Sequence, residues 1–204
     1  MSESNPNSRL EAFCDGVFAI ALTLLIIDIK IPASAEIHNT HDFWLALWDI
    51  VPAVSAFVLS FVIILITWVN HHASLKMANK SSSAFIYSNG LLLLSVVFLP
   101  FPTSLLGEYL LTDHATPAVV LYNLNLSFQS VGWIFICKTA LRDKLYKREE
   151  MISTVLASLH YGYFAFALYT VLAILAFWIP LTIAIITILS WVIWLVWGIK
   201  LKHE

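Results

Sequence analysis

Charge is scarce in this sequence: charged residues make up 12% of its 204 positions, and the mean hydropathy of +0.84 lies outside the range of soluble globular chains. That balance excludes a water-soluble domain and makes lipid the solvent. Cysteine is nearly absent, and Cys14 and Cys137 both fall in apolar runs near one membrane face, so no structural disulfide is expected. No low-complexity tract or internal repeat occurs in it, and no second domain is expected. No H-E-x-x-H or G-x-S-x-G occurs, and the polar residues within the apolar runs form no evident nucleophile and base set. The chain is therefore expected not to be an enzyme and to need no cofactor. The start, MSESNPNSRLEAF, lacks the basic opening of a secretory signal, and its apolar run continues as a full span, so the first helix is expected to be retained.

What the sequence has in quantity is long apolar runs. A bilayer core about 30 Å thick needs roughly 20 helical residues to cross it. Six runs are near or above that length, the third being the shortest, which predicts an all-α integral membrane bundle. One domain, 1–204, is expected, with spans at about 10–31, 43–72, 84–102, 117–141, 159–179 and 180–200. Membrane lipid is the expected surrounding, and no nucleic-acid partner is expected.

Lys and Arg mark cytoplasmic loops. Arg9 precedes the first span, Lys76 and Lys80 lie between the second and third, and Lys138, Arg142, Lys144, Lys147 and Arg148 follow the fourth; Lys200 and Lys202 end the chain. Both termini are expected inside. Only Lys30 falls on the other side, where Asp28, Glu36, Asp42, Asp49, Glu108 and Asp113 leave the outer face acidic and favourable to cations. Trp44 and Trp48 at the outer start of the second span, and Trp194 and Trp197 at the inner end of the sixth, fit as interfacial anchors.

At 100° per residue, Phe13, Ile20, Leu24, Ile27 and Ile31 form a bulky apolar stripe along the first span. Beside it Ala12, Gly16, Ala19 and Thr23 form a small-residue stripe, the arrangement that lets helices approach closely in lipid. The bulky stripe faces either lipid and neighbouring helices or, in a symmetric assembly, a central axis where it forms a constriction that gates by dewetting. A carboxylate within a span is costly and needs a partner. With the second span returning antiparallel, Asp15 lies level with TWVNHH, which predicts a network of Arg9, Asp15, Trp68 and His71 at the inner end. Its role is either to fix the packing of the first two spans or to coordinate ions or relay protons.

RLEAFCDGVFAIALTLL resembles the R-x-x-x-F-S-D signature of the transmembrane protein 175 family of potassium channels. Arg9, Phe13 and Asp15 match it, and Trp68 with His71 is similar to the W-x-x-H ending the family's second helix. Cys14 stands where the signature has serine, which keeps the size and weakens the hydrogen bond. The resemblance implies the prokaryotic, single-repeat type: a homotetramer whose pore is lined by the first helix without a re-entrant pore loop. It places the constriction at Ile20, with Leu24 and Ile27 as further layers, and gives Thr23 a part in potassium preference. The permeant species is then the potassium ion. No TVGYG filter is present, consistent with that pore.

Asp28, one residue above Ile27, is expected to form a carboxylate ring at the outer mouth, to cap the helix or to pair locally with Lys30 or a loop residue. Asn123, Ser127 and Ser130, with Asn125 and Gln129 nearby, form a polar stripe suited to interhelical hydrogen bonding, with Asn89 as a partner. His38, His41 and Asp42 have loose metal-like spacing but lack a fourth ligand, and no metal site is expected. The leading expectation is a potassium-preferring cation channel conducting passively through a central pore with a hydrophobic constriction formed by the first helix; the alternative is a proton-coupled transporter or proton pathway using Asp15 and His71.

Overall fold

The computed structural model describes residues 7–27 and 29–200, with side chains through 195 except that of residue 36. Among these, the regular elements are helical: α1 (Ser8–Leu24), α2 (Thr40–Asp49), α3 (Val51–Met77), α4 (Ser83–Phe98), α5 (Pro100–Tyr109), α6 (Ala115–Arg142), α7 (Met151–Leu175) and α8 (Pro180–Lys200), with a 3-10 turn at Ser34–Glu36. Four stretches are long and apolar enough to cross a bilayer: α3, Ser83–Tyr109 (α4 and α5 together), α6 and α7. In α8 the side chains are described for Pro180–Leu195, and that stretch is apolar. With 17 residues α1 is roughly 25 Å long.

Proline accounts for two departures from the expected spans. The second, 43–72, is two helices, because Pro52 has no N–H to give and its ring would clash with the Trp48 carbonyl; α2 ends at Asp49 and α3 starts anew with proline in its first turn. The third continues past residue 102 to Tyr109, in two helices that meet at Leu99, with Pro100 opening the second. The fifth begins at Met151, eight residues earlier than expected, since the segment before residue 159 extends the helix. The first is shorter than 10–31. Past Leu24, the N–H groups of Ile27 and Ile29 reach the carbonyls three residues back at 3.2 Å, the tight winding of a helix end. Pro32 then turns Ile31 away from helical geometry.

α6 is the central helix, packed against α4, α5, α7 and α8. In lipid, apolar burial supplies little drive between helices, so close approach and interhelical hydrogen bonds carry the packing. A Cβ on Gly132 would stand 2.8 Å from Leu92 Cα and 2.9 Å from Leu92 N, so the α4 and α6 backbones touch there. Gly132→Ala is expected to cost about 2–3 kcal/mol through overpacking. Thermal unfolding of the purified protein should show Tm lowered by roughly 4–12 °C; no change would mean that this crossing is looser than described.

One end of the bundle gathers three segments distant in sequence. Asn7 Nδ2 donates to the Ala78 carbonyl at 3.3 Å, Asn79 N–H to Leu145 O at 2.8 Å, and Lys147 N–H to Met77 O at 3.0 Å. Ser82 donates to Asp143, whose carboxyl is held down at about 2, first by the hydrogen bond from Arg142 and then by that from Ser82. Lys76, Lys80, Arg142, Lys144 and Lys147 stand at or beside these contacts, which makes this the basic end. At the other end Lys30 Nζ meets Glu108 Oε2 at 2.8 Å.

Candidate functional site

The helical repeat divides α1 into two faces. Cys14, Phe18, Ala21 and Leu25, spaced four, three and four apart, are buried against the bundle. The opposite arc, about 140° wide, holds both predicted stripes side by side. Phe13 is 62% exposed, Ile20 60% and Leu24 38%. Ala12, Gly16, Ala19 and Thr23 are exposed as well, and among the described residues no other element comes within 4 Å of where a Gly16 Cβ would stand. The small-residue stripe is therefore not the face by which α1 packs within the protomer. It is part of the same open surface as the bulky one. Thr23 Oγ1 donates to the Ile20 carbonyl at 2.8 Å, which leaves the hydroxyl's lone pairs on this open face.

Ile27 lies beyond the helix, in the turn that follows Leu24, and is 70% exposed; Ile31 lies outside any helix and is 92% exposed. A regular stripe of five over the whole span is therefore helical only as far as Leu24. Asp28 lies outside the described residues, as do the side chains of Trp197 and Lys200, and all of Lys202.

At the basic end, α1 and α3 run antiparallel and meet in a ladder. Trp68 Nε1 donates to Asp15 Oδ1 at 2.8 Å. One turn away, His72 Nδ1 approaches Glu11 Oε1 to 3.0 Å, and its ring stacks on Trp68 at 5.8 Å. The Trp68 bond ends on a carboxylate, so it contributes about 1.5–3 kcal/mol if the carboxylate is ionised. Of the predicted network, the structure joins Asp15 to Trp68. Arg9 is exposed, as is Phe13 on the open face of α1.

His71 points elsewhere, because adjacent helix residues are 100° apart. It is wholly buried, packs against Phe18, and makes a 2.7 Å hydrogen bond between Nε2 and Asn89 Oδ1. Asn89 Nδ2 already donates to Phe85 O at 2.7 Å, so its Oδ1 accepts and His71 Nε2 carries the proton. Nδ1 then faces the interior without a hydrogen-bond partner among the described residues. Asn89 thus serves α3 and not the α6 stripe.

That α6 stripe does bond between helices. Asn125 Nδ2 donates to Ser95 O at 3.1 Å, Gln129 Nε2 to Thr67 Oγ1 at 2.7 Å, and Asn123 Oδ1 accepts from Thr187 at 3.0 Å. Ser127 meets Thr170 at 2.8 Å, while Ser130 bonds within its own helix, to Leu126 O. In the first turn of α2, Asp42 Oδ2 accepts from His38 N–H and Asn39 Nδ2 in the preceding loop, so the carboxylate shapes the helix start. Glu11, Asp15 and His72 bring one ligand atom each within 4.8 Å of one another, three half-buried groups of which Asp15 already accepts from Trp68. Glu11 and His72 are the members that the sequence reading left out of the network. Their spacing of four from Asp15 and Trp68 was the available signal.

A family model described as endosomal/lysosomal potassium channel TMEM175 matches residues 9–100. The chain is 39% identical over 155 residues to a protein named potassium channel from Chamaesiphon minutus, covering 76% of this chain and 71% of that one. It is 40% identical over 135 residues to one of the same name from Streptomyces collinus, covering 63% and 64%. The fold matches the crystal structure of a lysosomal potassium-selective channel TMEM175 homolog from Chamaesiphon minutus with a TM-score of 0.79 at 34% identity, over 93% of this chain and 98% of that one.

Proposed function

This chain belongs to the TMEM175 family, and on that premise we propose that it is a potassium-preferring cation channel conducting passively through a central pore lined by α1. The observation that carries the reading is the open face of α1. Phe13, Ile20 and Leu24 stay exposed along it, while the opposite face of the same helix is fully packed. An exposed face built of both large and small residues suits a helix that meets copies of itself around an axis: small residues permit close approach, and large ones fill the centre.

In this reading 1–204 is one six-span domain, with α1 and α8 as the spans beyond the four longest, and four copies assemble around the axis. Ile20 forms the narrowest layer and Leu24 the next, with Ile27 on the turn above and Asp28 at the outer mouth. Thr23, whose hydroxyl oxygen faces the same surface, contributes to ion preference. Arg9, Phe13, Asp15, Trp68 and His71 hold the inner end. The concentration of Lys and Arg at the basic end supports cytoplasmic termini in a prokaryotic cell membrane. The separate partners of Asp15 and His71 count against a relay between those two residues.

Reconstitution into liposomes tests the proposal. A potassium gradient should dissipate passively, faster than a sodium gradient, without a requirement for a proton gradient. Absence of potassium flux, or flux that saturates and requires protons, would refute it.

A further inference from the structure

Away from the open face of α1 lies a cavity of about 670 Å³, bounded by α3, α6, α7, α8 and the loop at Leu145 and Tyr146. That volume is in the range of sites for small organic ligands. Buried polar groups in proteins are nearly always hydrogen-bonded, so those left without partners are informative. Three side-chain atoms of this wall have none among the described residues: Gln129 Oε1, Trp191 Nε1 and Tyr146 Oη. Gln129 is 4% and Trp191 8% exposed, so neither is bathed in bulk water. Gln129 is held in place by its other end, where Nε2 donates to Thr67.

The wall also lacks something. The described residues that line it include no Asp, Glu, Lys, Arg or His. An ionised ligand group would be buried there without a counter-charge, which is strongly unfavourable. The rest of the wall is largely apolar, with Leu126, Trp133, Ala165 and Trp194 among it. The cavity reaches from the middle of α6 to the first turns of α7, where Ser153, Thr154 and Ala157 are exposed.

We propose that this cavity binds an uncharged amphiphile with one apolar chain and a hydroxyl-bearing polar end. A hydroxyl meets the opposed demands of the two buried atoms, since it donates to Gln129 Oε1 and accepts from the Trp191 indole N–H. Tyr146 Oη takes either role. The apolar chain fills the remaining wall, and a neutral membrane lipid of the monoglyceride kind has this chemistry.

Trp133, Trp191 and Trp194 line the cavity, so a brominated chain entering it quenches their fluorescence. The probe is a monoglyceride with a dibromostearoyl chain, titrated into the purified protein in nanodiscs of unbrominated lipid. The expected result is saturable quenching, reversed by unbrominated monoglyceride, with dibromostearate anion binding at least roughly tenfold more weakly. Gln129→Leu should weaken the monoglyceride about tenfold, as loss of one hydrogen bond to a neutral group does. Ala165→Leu, which fills the space, should remove the saturable component. Quenching that rises linearly without saturation would be bulk lipid contact and would overturn the site, as would no quenching because water or a second copy of the chain occupies it. Equal binding of the anion would overturn the assignment to a neutral ligand, and these arms use the wild-type protein alone.

Discussion

Replacing Ile20 by asparagine should raise potassium flux through reconstituted liposomes by roughly tenfold or more and narrow the difference between potassium and sodium. A ring of isoleucine side chains resists ions because a narrow apolar layer expels water and offers nothing in place of the ion's hydration shell. Asparagine brings an amide into every copy of that layer, with carbonyl oxygen for the cation and N–H for water. A fall of only about 1.4 kcal/mol in the barrier gives a tenfold rise in rate. Ile20→Ala should move flux the same way and less far, since it widens the layer without wetting it. Position 20 is suited to this test because it is 60% exposed in the protomer, so the change does not empty the core. Unchanged flux in both variants would remove Ile20 from the pore.

The second large effect is expected at the opposite extreme of burial. Among the described residues, Asn89→Leu takes away the one hydrogen-bond partner of the wholly buried His71 ring, whose Nδ1 already lacks one. A buried polar group left unsatisfied costs about 1–3 kcal/mol beyond the lost bond. The variant should therefore lose about 3 kcal/mol, or roughly 6–12 °C in Tm. The double variant His71→Leu with Asn89→Leu should be more stable than Asn89→Leu alone, because replacing both partners by apolar groups abolishes the unmet demand. Thermal unfolding in detergent reads both. A double variant less stable than the single one would show that His71 makes a contribution that its bond to Asn89 does not explain.

These two sites mark how far the sequence was legible. The long helices were, because lipid requires long apolar runs. The helix breaks were partly so: Pro52, Pro100 and Pro32 stand in plain sight, yet hydropathy runs smoothly across them and hides the ends of α2, α4 and α1. On α1 the spacing identified both stripes but not the face that the bundle buries, which is that of Cys14, Phe18, Ala21 and Leu25. Both faces are apolar, and in a membrane hydrophobicity does not separate inside from outside. The inner network was half legible. Asp15 and Trp68 followed from antiparallel register, and the same register gives Glu11 opposite His72. His71 was drawn toward Asp15 although it lies 100° from Trp68's successor on that face. Its true partner, Asn89, belongs to a helix whose placement no local pattern reveals.

The central claim is that the open face of α1 lines a symmetry axis. Determining the structure of the assembled protein in a lipid nanodisc tests it most directly, through the number of copies and the distance of each helix from the axis. The expected result is four copies with α1 innermost and the Ile20 side chains facing one another across the narrowest point. An assembly in which α1 lies at the lipid-facing perimeter, with Ile20 directed away from the axis, would contradict it.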